Sequence, residues 1–214
     1  MKGIITPYKF KHFYFNKYLV SPFSTDKYFI SYDYAHKALW FRVYKAATRS
    51  IDHHLKSGSV KGEYIYSSEV AYRPAMFRDY FKFAFVRNPE TRFVSGWKDK
   101  VLNQNYFGFD SDEHERMKNL DYFIQWVKTL DIRHCDEHLR EQCSLIDLNH
   151  IDFLGRFESF DRDFEYVAQQ IGLKEYQPVH LNKTKKDSSI VLSDEQKNAI
   201  FNIYKKDFEI LYPH

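Results

Sequence analysis

Short apolar runs with strand-like character alternate with stretches whose apolar residues recur at helical spacing. In Phe81–Val86, the residues Phe81, Phe83, Phe85 and Val86 make a β-favouring run, which reads as a buried strand ending at Arg87. Asn88 suits a helix N-cap, Pro89 the first helical position and Glu90 the first turn. Phe93, Val94, Trp97 and Val101 then give that helix a core face, with Thr91, Arg92 and Ser95 toward its polar side. A second unit of the same kind stands upstream. Ala38–Val43 reads as strand and Lys45–Arg49 as turn, with a helix starting between Thr48 and Ser50 and running to about Lys56.

The remaining pattern fills in around these two units. Lys27–Tyr34 and Lys37–Tyr44 are β-like and close enough to pair as a hairpin or adjacent strands. Gly58 and Gly62 mark a loop, Glu63–Tyr66 a short strand, and Pro74–Tyr80 a short helix. Residues 103–116 read as a polar loop, Asp121–Leu130 as an amphipathic helix, and His134–Gln142 as a polar segment with little periodicity. Ile151–Phe157 is a further strand. Asp161–Ile171 is a helix closed by Gly172, and Ser193–Tyr204 a helix with Ser193 and Gln196 as its capping box. Strands alternating with helices imply an α/β domain with a mainly parallel sheet. At 214 residues the expectation is one domain spanning 1–214, with residues 1–26 an aromatic and basic lead-in.

Composition narrows the class. Hydrophobic residues at 43% and charged residues at 29% belong to a folded globular chain, not a disordered one. A net charge of +3 tolerates anionic ligands without arguing for a nucleic-acid partner. Cys135 and Cys143 form no CxxC and read as free thiols of a reducing compartment, with a single bridge as the alternative. No stretch is apolar enough to span a membrane, and lysines interrupt the N-terminal segment. The expectation is a cytoplasmic chain, with peripheral membrane contact left open.

Both strand–turn–helix units point at anions. Arg87 and Ser95 bring a guanidinium and a hydroxyl to one junction. The Lys45 turn adds an ammonium, backbone N–H groups and the hydroxyls of Thr48 and Ser50 at a helix start. A Walker A loop is excluded, because no glycine lies between Gly3 and Gly58. The bland reading of Lys45, a solvated lysine in an ordinary loop, loses ground once Arg87 and Ser95 are paired with it, since ligands of open α/β sheets bind beyond the strands' carboxyl ends.

At these residues the chain resembles the PAPS-dependent sulfotransferases. Within them it is similar to the carbohydrate group of heparan-sulfate 2-O and chondroitin type and its bacterial relatives. YKAATRSI matches the family's lysine loop, and RNPETRFVSGW its RNPxxRxxSxW motif, the more specific of the two. DEHLREQ, IDFLGRFESF, VHLNKTKK and YKKDFEILYP extend the likeness along most of the chain from Lys27. The resemblance implies a P-loop-like three-layer α/β domain whose central, mainly parallel sheet is flanked by helices. It implies PAPS (3′-phosphoadenosine 5′-phosphosulfate) as donor, PAP as product, and a glycan or glycolipid as acceptor. It puts Lys45, Ala46, Ala47, Thr48, Arg49 and Ser50 at the 5′-phosphosulfate and Arg87 with Ser95 at the 3′-phosphate. Lys183 and Lys185, in a late basic loop, would also reach the 3′-phosphate. Two positions depart from the family: Tyr44 replaces the usual proline, and Arg49 a small hydroxyl residue.

A sugar hydroxyl needs a base. His138 is the first candidate, because histidine titrates near neutrality and its segment lacks core periodicity. Glu69 is second, since related enzymes often place the base just before the central strand. His53 is third. Each has a surface or structural role as its alternative. Gln142 is a candidate contact for sugar or cofactor, while Arg156 and Glu158 read as a structural ion pair. The histidines show no metal-ligand spacing, so no metal is expected. Two other functions stay open: a nucleotide-dependent small-molecule kinase on a P-loop-like fold, and a non-catalytic polyanion-binding module.

Overall fold

In the computed structural model the described residues are 13–24, 26–59, 62–173 and 190–213. Five strands form one sheet: β1 (Tyr28–Asp33), β2 (Ala38–Phe41), β3 (Tyr64–Val70), β4 (Phe81–Val86) and β5 (Phe153–Arg156). Their order across the sheet is β3-β1-β2-β4-β5. The β1–β2 hairpin is antiparallel, as the sequence predicts, and β3 adds antiparallel to β1. β2 pairs parallel with β4, and β4 with β5. Four strands therefore run one way and β1 alone is reversed, so the sheet is mostly parallel in strand direction. The carboxyl ends of β2, β3, β4 and β5 all open onto one edge.

Along β1, β2 and β4 both faces of the sheet are buried, and the period-two pattern sorts residues between them. Trp40, Phe83 and Phe85 face α1 (Thr48–Gly58) and α5 (Phe160–Gln170), packing on Ile51, Leu55, Phe164 and Val167. Leu39, Phe41, Ala84 and Val86 face the opposite side, under Tyr72, Phe77, Leu145 and Leu211. Trp40 and Phe83, cross-strand partners, stack with centroids 6.4 Å apart. Phe85 pairs with Gly155, and its ring fills the space a side chain there would need.

A third core is helical. α2 (Pro89–Trp97) contributes Phe93 and Trp97. α4 (Leu120–Lys128) contributes Phe123, Ile124 and Val127, and α6 (Asp194–Ile203) contributes Ile200. Trp97 is buried as expected, its indole N–H donating to the Met117 carbonyl. Ser193 and Gln196 form the predicted capping box, and Gly172 takes the left-handed conformation expected of a C-cap, with φ 67°.

Two helices were invisible in the pattern. Residues 103–116 were expected as loop, yet α3 (Ser111–Met117) forms there, capped by Asp110. Only Met117 of that helix is buried, so it leaves no apolar stripe. The last predicted helix breaks at Tyr204 and resumes as α7 (Lys205–Leu211). Among the described residues no helix is long and apolar enough to cross a membrane. Cys135 and Cys143 are both free thiols, and burial raises both pKa values, that of Cys135 to about 11.

Gly155→Ala tests the tight β4–β5 contact. A Cβ at Gly155 would lie 2.5 Å from the Phe85 ring, so the expected cost is roughly 1–3 kcal/mol, read as a lower denaturant midpoint at unchanged m-value.

Candidate functional site

The loop after β2 carries the first half of the site. Lys45 (φ 68°) and Ala47 (φ 63°) both adopt left-handed backbone without being glycine, a conformation that costs roughly 1–3 kcal/mol per residue and persists only where surroundings enforce it. Thr48 helps, since its hydroxyl donates back to the Val43 carbonyl at 3.0 Å. Ser50 and Ile51 both donate to the Ala47 carbonyl and start α1. The backbone N–H groups of Lys45, Ala46, Ala47, Thr48 and Arg49 have no acceptor among the described residues. Consecutive donors in a left-handed turn at a helix start form a concave anion seat. Arg49 is exposed beside it, whereas Ser50 is buried. The Lys45 ammonium lies 3.1 Å from the Asp99 carboxylate. Burial lowers the lysine's pKa, and Asp99 partly opposes that.

The second half begins where β4 ends. The Asn88 side chain accepts from the N–H groups of Glu90 and Thr91, so this helix start is capped as predicted. Those donors are thereby taken, which leaves the Arg87 side chain as the cationic group of this half. Arg87 donates through Nε to the Thr91 hydroxyl at 3.0 Å and through Nη1 to the Lys45 carbonyl at 3.4 Å. Its guanidinium lies over the Phe157 ring at 4.2 Å, and burial lowers its pKa. The two half-sites thus touch through Arg87. Ser95 is half-buried on α2. Helical spacing puts it in one row with Thr91 and Asp99, between the Arg87 and Lys45 contacts.

Three sequence-based assignments change. Arg92 was expected on the polar side of α2 but is buried at 2% exposure. Its Nε donates to the Tyr44 carbonyl and its Nη2 to the Glu137 carbonyl, because the 135–142 segment folds over that helix face. Gln142 was expected to reach sugar or cofactor. Instead it is fully buried, and its amide pairs both ways with the Arg87 backbone. Its own N–H and that of Cys143 donate to Asp207, a buried carboxylate of α7. Arg156 and Glu158 were expected as an ion pair. Glu158 instead accepts from the Asn88 N–H and the Tyr212 hydroxyl, and Arg156 lies over the Tyr212 ring.

The base candidates separate clearly. His138 lies against Tyr44, the neighbour of Lys45, at 4.7 Å between ring centroids, and against Tyr106 at 5.1 Å. Its Nδ1 is 2.9 Å from Asp136 Oδ1. Burial pushes the Asp136 carboxyl up, but the hydrogen bonds from His138 outweigh it and hold the pKa below the usual carboxylate value. With Nδ1 donating to an anionic Asp136, Nε2 is the acceptor nitrogen of the neutral ring. Glu69 sits in a bulge at the end of β3, with φ 46°, and pairs with Arg140 at 3.2 Å. His53 is exposed on α1, its ring against His54. Asp136, Glu137 and His138 also bring one ligand atom each within 4.8 Å, a grouping that consecutive positions did not signal. Lys183 and Lys185 lie outside the described residues.

Residues 23–213 match the sulfotransferase family as a whole. The chain belongs to that family. The match takes in every described residue of the site, from the Lys45 loop to Arg87, Asp99 and His138. Among characterised proteins, carbohydrate sulfotransferase 11 of Mus musculus is 25% identical over 162 residues, covering 61% of this chain and 46% of its own length. The chain thus spans about half the length of that relative. No solved structure matches the chain. Sequence reasoning missed Arg92, Asp99 and Asp136 as parts of the site. The second arginine of the RNPETRFVSGW motif was the available signal for Arg92.

Arg92→Met tests the tie between the lysine loop and the His138 segment. Leaving two carbonyls without their donor is expected to cost roughly 1–3 kcal/mol per unsatisfied group. Native-state hydrogen exchange should also quicken at Ser50 and Ile51, whose N–H groups bond the Ala47 carbonyl, by more than the global loss of stability quickens it in β4.

Proposed function

We propose that this protein transfers the sulfuryl group of PAPS to a hydroxyl of a carbohydrate or glycolipid, on a P-loop-like α/β fold. The observation that carries the reading is the left-handed Lys45–Arg49 turn with its run of uncommitted N–H donors, joined to Arg87 through the Lys45 carbonyl. Two linked cationic seats suit a ligand with an anionic group at each end, which is the chemistry of a 3′,5′-substituted nucleotide. Lys45, Ala46, Ala47, Thr48, Arg49 and Ser50 would hold the 5′ end, the Ser50 hydroxyl reaching it only through a shift from its buried position. Arg87 and Ser95 would hold the 3′-phosphate, with Lys183 and Lys185 as further cationic contacts.

PAPS supplies an activated sulfuryl group on a good leaving phosphate. The chain's own residues have three tasks. Arg87 and the turn N–H groups orient the donor, so that remote binding energy positions the reacting end. Lys45 neutralises charge as it builds on the departing phosphate. His138, fixed by Asp136 through Nδ1, takes the hydroxyl proton at Nε2. Glu69 is the second base candidate, and its pairing with Arg140 makes His138 the better fit. For the acceptor, exposed Tyr66 and Tyr106 flank Tyr44 and His138. Aromatic faces of this kind suit a sugar ring. The carbohydrate sulfotransferase named above supports the same acceptor class.

Transfer kinetics with PAPS and a glycan panel test the roles. Lys45→Ala is expected to lower kcat roughly 10²–10³-fold, the scale of one lost transition-state donor. His138→Ala should lower kcat roughly 10²–10⁴-fold with PAP affinity unchanged. Arg87→Ala should chiefly weaken PAP binding, by about 10- to 100-fold. An undiminished Lys45→Ala enzyme, or stabilisation by ADP with magnesium in place of PAP, would overturn the assignment.

A further inference from the structure

We propose that Asp99 competes with the donor's 5′-phosphate for the Lys45 ammonium, and so sets how tightly nucleotide is held at the reacting end. The proposal rests on the sulfotransferase reading of the Lys45 loop. Asp99 lies in the π-helical turn Lys98–Leu102 that continues α2. Its Oδ2 is 3.1 Å from Lys45 Nζ and 3.7 Å from Lys100 Nζ. The side chains of Lys45 and Asp99 are 17% and 25% exposed, so their attraction is only partly screened by water. Burial acts against charge on both partners, and each opposes that effect in the other.

A carboxylate beside an anion seat is a contradiction that needs a physical answer. The turn N–H groups, Lys45 and Arg49 attract a phosphate, while Asp99 repels it and holds the cation closest to the chemistry. Both tendencies are met if the ammonium passes from one anion to the other. Lys100 makes the exchange feasible, because it already lies near the same Asp99 oxygen. Displaced from Lys45, the carboxylate keeps a cationic partner and is not left as an unpaired, half-buried charge. Lys100 also stands 3.9 Å from the Tyr106 ring, which touches His138. The exchange is therefore in contact with the side of the site where the acceptor would react. No covalent bond changes. A built-in competitor weakens product as well as donor, which favours release of PAP after transfer.

Calorimetric titration of the full chain with adenosine 3′,5′-bisphosphate tests this without requiring turnover. Asp99→Asn should bind it about five- to tenfold more tightly than wild type, the scale of one ion pair plus relief of like charge. In a Lys45→Met background the same substitution should tighten binding clearly less, by no more than about two- to threefold, the part that relief of like charge supplies alone. Adenosine 3′-monophosphate, which lacks the 5′-phosphate, should bind wild type and Asp99→Asn alike, and this arm stands even if Lys45→Met does not fold. Unchanged or weaker bisphosphate binding by Asp99→Asn overturns the proposal. So does equal tightening toward the 3′-monophosphate, or with Lys45 removed. Wild-type protein that does not bind the bisphosphate at all would overturn the sulfotransferase reading together with it. Wild-type binding without an Asp99 effect would overturn the competition alone.

Discussion

A guanidinium withdrawn from water has to be satisfied by protein, and Arg92 is satisfied by carbonyls from two segments remote in sequence. One is Tyr44, at the mouth of the lysine loop. The other is Glu137, one residue from His138. Because Arg92 itself is fixed on α2, the loop and the histidine segment are held at set positions against the same helix. The tilted contact between the Tyr44 and His138 rings closes the arrangement from the other side. Residues that would act on opposite ends of one reaction thus share a single buried strut. Asp207 plays the matching part below it, taking the N–H groups of Gln142 and Cys143, while Gln142 braces the Arg87 backbone.

The strand–turn–helix units were legible because their information is local. A period-two run ending at Arg87, a cap at Asn88 and an apolar stripe through Trp97 all lie within one short stretch, and the structure follows them closely. The same holds for the β1–β2 hairpin and the Ser193 capping box. What escaped was decided at a distance. Arg92 sits on the polar side of its helix by spacing, and nothing nearby in sequence says that residues 135–142 fold over it. Gln142 looked available for a ligand because its partner, the backbone at Arg87, is far away in the chain. α3 is nearly all polar, so it is held by caps and ion pairs that periodicity does not register.

The candidate site shows the same division. Lys45, Arg87 and Ser95 could be named from residue type at a strand end. The backbone conformation of Lys45 and Ala47 could not, since neither is the glycine that ordinarily marks a left-handed turn. Nor could the pairing of Lys45 with Asp99, which depends on how α2 continues past Trp97. His138 was singled out for lack of a core role, and its geometry with Asp136, Tyr44 and Tyr106 supplies a positive reason.

The glycine-free turn carries a consequence for binding entropy. A phosphate loop rich in glycine is loose until a ligand orders it, and that ordering is subtracted from affinity. Here the side chains of Lys45 and Ala47 narrow the conformations open to the chain, and Ala46 and Ala47 are packed into the core. The turn is therefore ordered once, during folding, by hydrophobic contacts that have nothing to do with the ligand. If this turn seats the anion as proposed, a mild overall charge and a handful of cations suffice, because little of their attraction is spent on organising the loop.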